Sequence, residues 1–298
     1  MACIGWEAQF KRLEGAYAPS TMRGYYADIR AFVNWCEEHG VSPFPAQVGL
    51  VCQFLDHQAA AGLAISSIRR RMYALRKAHN LLLYPDPTRE EDVNLTFRRI
   101  RRASFARPAQ AKGLTKDFLQ QFLDGQPHTP WGLRNRTMLS LGYDLLTRRA
   151  ELVALKDRDL EPRRDGTYRC VIRRSKADPF GNGRTAFCSR RSAALVAEWR
   201  AWRGPDVEWL FCPIYSGKAI NRSLSPTTVK RLVKSAAARA DLDPDMVAAF
   251  SGHSLRVGAA QDLLASGHDT AAIMRAGGWK SINVLGRYLE NAEHNVWL

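Results

Sequence analysis

Apolar residues recur at helical spacing along most of this 298-residue chain. In "APSTMRGYYADIRAFVNWCEEHG", Tyr25, Ile29, Phe32, Val33 and Cys36 fall on one stripe. That spacing predicts a helix with Ser20 at its N-cap and Gly40 closing it. "PAQVGLVCQFLDHQAAAG" predicts a second helix ended by Gly62, and "ISSIRRRMYALRKAHNLL" a third, with Ile68, Met72 and Leu75 on one face. The helical period resumes in "LTKDFLQQFLDG", where Thr115 can cap, then in "WGLRNRTMLSLGYDLL" and "TRRAELVALKDRDLE". It then gives way to alternation: Tyr168, Cys170 and Ile172 alternate, "DPFGNG" turns, and "RTAFCS" returns. This predicts a β-hairpin with Lys176 at its tip. "AALVAEWRAW" is helical again, and "SLSPTTVKRLVKSAAARADL" carries Ser225 at the cap and Pro226 at the first helical position. Two more helices are expected, one starting near His253 and one near Asp269. The fold class is therefore mainly α with a small antiparallel β-sheet.

Composition adds a boundary and a sign. "FRRIRRASFARPAQAKG" holds Arg98, Arg99, Arg101, Arg102, Arg107 and Lys112 with no acidic residue, and its end is rich in Ala, Pro and Gly. It reads as the close of a helix followed by an exposed linker, 108–113, between domains 1–107 and 114–298. With 44 Lys and Arg against 29 Asp and Glu, the chain carries a formal charge of +15. Such an excess bears on partners, and nucleic acid leads. The third helix has Arg69, Arg70, Arg71, Arg76 and Lys77 with no acid among them, which predicts a phosphate-facing surface. A basic linker between two basic domains suggests a clamp around a polyanion. No apolar run is long enough to span a bilayer, and the N-terminus lacks a signal-peptide core. A cytoplasmic protein with no membrane partner is expected. Cys3, Cys36, Cys52, Cys170, Cys188 and Cys212 form no CxxC pair, so they read as reduced thiols and not as a zinc or redox site.

The sharpest local feature is "SGHSLRVGAAQ". His253 and Arg256 are three apart and share a helix face, at an N-terminus where backbone N–H groups favour an anion. Elsewhere, Arg148 sits in "LLTRRAEL" three residues before Glu151, Trp279 in "AGGWKS", and Tyr288 in "LGRYLE". A phosphodiester gains negative charge as an oxygen attacks it, and fixed guanidiniums stabilise that charge. An indole N–H is a further neutral donor. A tyrosine nucleophile, with an ordinary pKa of about 10, needs a base beside it.

In this order the residues resemble the tyrosine site-specific recombinases, the phage-integrase family, in their Cre-like branch. "SGHSLRVGAAQDLLASG" with "IMRAGGWKSINVLGRYLE" carries the likeness most closely, and it extends more loosely over nearly the whole chain. The resemblance implies a helical core-binding domain followed by a catalytic domain, arranged as a DNA clamp. It implies Arg148, Lys176, His253, Arg256, Trp279 and Tyr288 as the catalytic set. Tyr288 is then the nucleophile, Lys176 the proton donor to the leaving 5′-oxygen, and Glu151 a support for His253 or Arg148. Trp279 stands where most members carry histidine and the Cre-like branch carries tryptophan. The register could shift the first arginine to Arg149, but the acidic residue would then fall only two positions later. The implied reaction cuts and rejoins two duplexes through 3′-phosphotyrosine intermediates and a Holliday junction. It runs on a homo-tetramer at a double-stranded site with inverted repeats, in a bacterial or phage-encoded setting. Neither cofactor, metal, ATP nor small-molecule substrate is called for, since the arginines supply the charge that Mg²⁺ would. Candidate DNA contacts are Arg69, Arg70, Arg71, Arg101 and Arg102, with Thr227, Thr228, Lys230 and Arg231 on a helix suited to the major groove. Two alternatives stay open: a type IB topoisomerase-like nicking-closing enzyme, and a catalytically silent architectural DNA binder.

Overall fold

The computed structural model describes residues 5–104, 110–173 and 183–292. Lys176, Arg107, and the apolar tail ending at Leu298 lie outside them. The chain divides into two units, Met1–Pro108 and Ala109–Leu298.

The first unit is helical: α1 Trp6–Phe10, α2 Pro19–Glu38, α3 Val48–Ala60, α4 Ile65–Leu81 and α5 Glu91–Ala103. α2 packs on α4 and α3 on α5. The expected stripes meet there: Phe32, Trp35, Phe54, Leu55, Ile68, Leu75 and Val93 share one core. α2 begins two residues earlier than expected, with Ala18 at the N-cap and Pro19 in the first turn. Proline suits this position because it has no N–H to satisfy there, and no side chain caps the helix. Gly40 closes the helix at φ 65°, its N–H bonding to Glu37 O at 3.1 Å and that of Val41 to Cys36 O at 3.0 Å. Only glycine enters this left-handed conformation without a Cβ penalty.

Three of the arginines of α4 meet acids that the helix's own sequence does not show. Asp28, buried on α2, takes two hydrogen bonds from Arg70, at 2.6 and 3.0 Å, and lies 3.6 Å from Arg71. Asp86 lies 3.1 Å from Arg76. The neutralising acids come from neighbouring elements, and a reading confined to one helix cannot include them.

The second unit opens with α6 Lys116–Asp124, α7 Pro130–Asp144 and α8 Arg149–Val153. A three-stranded antiparallel sheet follows, β1 Leu160–Pro162, β2 Tyr168–Ile172 and β3 Arg184–Phe187, in the order β1-β2-β3. Its register pairs Cys170 with Leu160 on one side and with Ala186 on the other. After α9 Arg190–Arg203 comes a small ribbon, β4 Ile214–Tyr215 and β5 Lys218–Ala219. Five helices complete the unit: α10 Pro226–Arg239, α11 Pro244–Ala249, α12 Ser254–Ala265, α13 Thr270–Gly277 and α14 Ile282–Leu289. Ser225 caps α10, accepting from Thr227 N at 3.3 Å, with Pro226 in its first turn.

Three expectations need correction here. Thr115 holds the N-cap position of α6 without a side-chain bond, and Asp262 of α12 accepts from Lys116 N at 2.7 Å. The expected exposed linker 108–113 is in part built into the second unit. Lys112 N–H bonds to Ala249 O at 3.0 Å, and the next residue but one, Leu114, to Ser254 O at 2.9 Å. Between them Gly113 is buried, where a Cβ would fall 2.0 Å from Gln261 Oε1. Finally, the helix expected near Asp269 ends at Gly277, and a separate helix, α14, carries Tyr288.

Candidate active site

α12 is the spine of the site. Residues Ser254 to Gln261 are buried without a break, so the helix shows no amphipathic period and is enclosed on all sides. His253 is its N-cap, and Arg256, in the first turn, is 0% exposed. The helix's early N–H groups are not all free for an anion, as its sequence suggests. Ser254 N–H bonds to Ser251 O at 3.0 Å, and those of Arg256 and Val257 to His253 O at 3.1 Å.

Arg256 is held from two sides. One Nη1–H donates to Leu146 O, a carbonyl presented by a residue at φ 47°. Its guanidinium lies 3.8 Å from the centre of the Trp279 ring and 5.6 Å from that of Tyr288. Nε and Nη2 of Arg256 are buried and make no hydrogen bond among the described residues, and neither does Nε1 of Trp279. Buried donors are almost always paired, so three unpaired ones about a single pair of rings form a cradle for acceptor oxygens. Burial lowers the Arg256 guanidinium to about 10, and neighbouring Arg148 adds to the fall.

Arg148 is the N-cap of α8. Glu151, 4% exposed, accepts the Arg148 backbone N–H at 3.0 Å and its Nη1–H at 2.5 Å. Arg149 is exposed and makes no such bond, so the register with Arg148 is the one that engages the acid. Of the two supports open to Glu151, its bonds go to Arg148.

His253 Nε2 and the Tyr288 hydroxyl lie 2.7 Å apart. Burial depresses His253 to about 4, and Arg256, Arg148 and Arg149 push the same way. The imidazole is therefore neutral at physiological pH and able to accept the phenol proton. Tyr288 also packs edge-on against Trp279, with ring centres 4.9 Å apart. Trp279 is 5% exposed and belongs to an apolar cluster with Leu146, Ala260, Ile273 and Leu285.

With Glu151 counted, six of the seven expected site residues thus lie on α8, α12, the turn after α13, and α14. Lys176 lies outside the described residues. The expected DNA contacts fall on other elements. Arg69 and Arg70 are exposed on α4, Arg71 is half-buried, and Arg101 and Arg102 are exposed at the end of α5. On α10, Thr227, Lys230 and Arg231 are exposed, Thr228 is half-buried, and Val229, Leu232 and Val233 face inward. The Lys230 backbone sits beside the site, since a Cβ on Gly252 would fall 3.1 Å from its N. Sequence reasoning missed Arg184, whose side chain is only 13% exposed and whose only sequence signal is a charge on the returning strand of the hairpin. Among the described residues no three His, Cys, Asp or Glu side chains gather as a metal site would require. No described helix is long and apolar enough to cross a membrane.

A neutral imidazole thus meets a phenol beside the guanidiniums of Arg148 and Arg256. The chain belongs to the phage integrase family, whose match covers residues 112–295, with the N-terminal SAM-like domain of phage integrases matching residues 9–84. It is a tyrosine recombinase, an enzyme that breaks and rejoins DNA. It is 27% identical to the recombinase Cre of Escherichia phage P1, over 93% of this chain and 86% of Cre. It is 28% identical to a XerD-like integrase/recombinase of Selenomonas ruminantium, over 94% of this chain and 84% of that one. Among solved structures, XerH bound to a palindromic difH substrate superposes with TM-score 0.69 at 19% identity, covering 91% of this chain and 76% of XerH. A lambda integrase dimer on a core site gives 0.66 at 16% identity, over 97% and 96% of the two chains.

Proposed function

We propose that the second unit cuts DNA through Tyr288 and that the reaction is conservative site-specific recombination. The Tyr288 oxygen bonds to the scissile phosphorus as the P–O5′ bond breaks, leaving a 3′-phosphotyrosine and a free 5′-hydroxyl. His253 Nε2 takes the phenol proton, and Lys176 gives one to the departing 5′-oxygen. Arg148 and Arg256 direct N–H groups at the non-bridging oxygens, Trp279 adds a third donor, and Glu151 fixes Arg148. A 5′-hydroxyl from a second duplex then attacks the phosphotyrosine and restores the diester. Because the phosphotyrosine keeps the bond energy, no nucleotide is spent. The first unit, 1–107, binds the core of the target through Arg69, Arg70, Arg71, Arg101 and Arg102. Thr227, Thr228, Lys230 and Arg231 on α10 contact the groove. Two sites with inverted repeats pair on a homo-tetramer and exchange strands through a Holliday junction. The setting is the cytoplasm of a bacterium, with the gene chromosomal or carried by a phage or plasmid.

The observation that carries this reading is the 2.7 Å contact of Tyr288 with His253, beside three buried donors without partners. The test is a nicked suicide duplex carrying the sequence the protein selects from a random DNA pool, resolved on a denaturing gel. Wild type should form a covalent adduct in EDTA, and Tyr288→Phe should form none while binding the duplex as tightly, since one hydroxyl adds little to an electrostatic interface. An adduct from Tyr288→Phe, or strict dependence on added Mg²⁺, would overturn the assignment. Relaxation of supercoils by monomers on any sequence, without strand exchange, would favour a topoisomerase.

A further inference from the structure

Arg184 opens β3, the strand that returns from residues 174–182. A charged residue at such a place is ordinarily solvated, but the Arg184 side chain is only 13% exposed. Its Nη1–H donates to Ala276 O at 2.6 Å, and its Nη2–H to Leu145 O at 2.6 Å and Leu146 O at 3.3 Å. Glu151 Oε2 lies 3.7 Å away.

Three of these partners each support a different member of the phosphate cradle. Glu151 holds Arg148. The Leu146 carbonyl also receives Arg256. Ala276 stands three residues before Trp279, at the end of α13. Gly278, between them, has φ 68°, and a Cβ there would fall 2.6 Å from Arg184 Cδ. The glycine therefore serves the turn into Trp279 and leaves room for the arginine. With both terminal nitrogens on backbone carbonyls and only Nε without a partner, Arg184 is placed to brace the cradle through its supports. A planar guanidinium with several donors can bridge these segments together, and an ammonium cannot.

We propose that Arg184 is a positioning residue for DNA cleavage, setting the orientation of Arg148, Arg256 and Trp279 around the scissile phosphate. The inference rests on the proposed role of that cradle. A displacement of about 1 Å in a reacting geometry can cost about a hundredfold in rate. The cost should scale with the charge that the cradle must meet.

The experiment measures single-turnover cleavage by full-length wild type, Arg184→Lys and Arg184→Gln on two suicide duplexes. One has the normal scissile phosphate. The other has a methylphosphonate there, in which an uncharged methyl replaces one non-bridging oxygen. Each variant is compared with wild type on the same duplex. Folded fraction cancels in the ratio of the two rates, so partial unfolding does not obscure the result. Both variants should lose about thirtyfold to a hundredfold on the phosphodiester and about threefold or less on the methylphosphonate, with half-site binding little changed. Equal losses on both duplexes would make Arg184 merely structural, and wild-type rates on both would deny it any role. If wild type itself gave no adduct, the reading of the site would fail, and not this inference alone.

Discussion

If His253 is the base that receives the Tyr288 proton, acidity should affect cleavage much less than an ordinary histidine would allow. The structure places the His253 pKa at about 4 in the free protein. An imidazole with a pKa of about 6.5 would be roughly 90% neutral at pH 7.5 and roughly 10% at pH 5.5, a tenfold loss of active base. With the depressed value the neutral fraction stays above about 95% over the same range. The assay is adduct formation on the suicide duplex at subsaturating DNA, where kcat/KM reports groups of the free enzyme. The rate at pH 5.5 should stay within about twofold of that at pH 7.5. An acid limb inflecting near pH 6.5, absent from His253→Ala, would refute the burial and arginine argument. Unchanged kinetics of His253→Ala would remove the base role altogether. Stability carries a related signature. Because the folded pKa is depressed, the unfolded chain takes up the proton first as pH falls below about 6.5. The neutral His253 thus contributes up to about 3 kcal/mol above that pH, lost as pH drops toward 4.

Trp279→His should keep measurable cleavage, because an imidazole N–H can replace the indole donor, while Trp279→Ala should lose more and also lose about 3–5 kcal/mol of stability, as for a large core truncation. Equal cleavage by both variants and wild type would reduce Trp279 to a packing residue. Lys176→Ala should slow cleavage about a hundredfold to ten-thousandfold and recover selectively when sulfur replaces the bridging 5′-oxygen, since a thiolate leaves without a proton. Equal rescue of Arg148→Ala or Arg256→Ala, or rescue of none, would take the proton-donor role from Lys176. In the first unit, His79 is buried with Nε2 accepting from Ala46 N at 3.1 Å, and burial lowers its pKa. Melting temperature should therefore fall as pH drops below about 6.5, and His79→Leu should flatten that dependence. An equally steep decline in the variant would place the acid sensitivity elsewhere.

Features that obey local rules were legible in the chain. Ser225 and Pro226 fix the start of α10 because a hydroxyl cap and a residue without N–H both suit a first turn. Tyr168, Cys170 and Ile172 show strand alternation over five residues, long enough to register. β1 has three residues and β4 and β5 two each, too few for any period to emerge. α14 was not among the expected helices, because Gly277 and Gly278 mark a helix end without showing that a new helix starts at Ile282. The motif residues of the site were recognisable by spacing. Their supports were not, because Arg184 with Ala276, and Asp28 with Arg70, are joined across 92 and 42 positions. Pairings of that range are fixed only once the fold exists.

The unpaired donors of Arg256 and Trp279 also tie the lifetime of the protein to its whereabouts. A buried polar group left without a partner costs about 1–3 kcal/mol, and a DNA phosphate that engages these groups relieves the cost in the folded chain alone. By mass action, DNA at a hundred times its Kd adds about 2.7 kcal/mol to folding. A molecule at its target therefore opens less often than one adrift in the cell, and proteolysis falls hardest on the copies that have no DNA to act on.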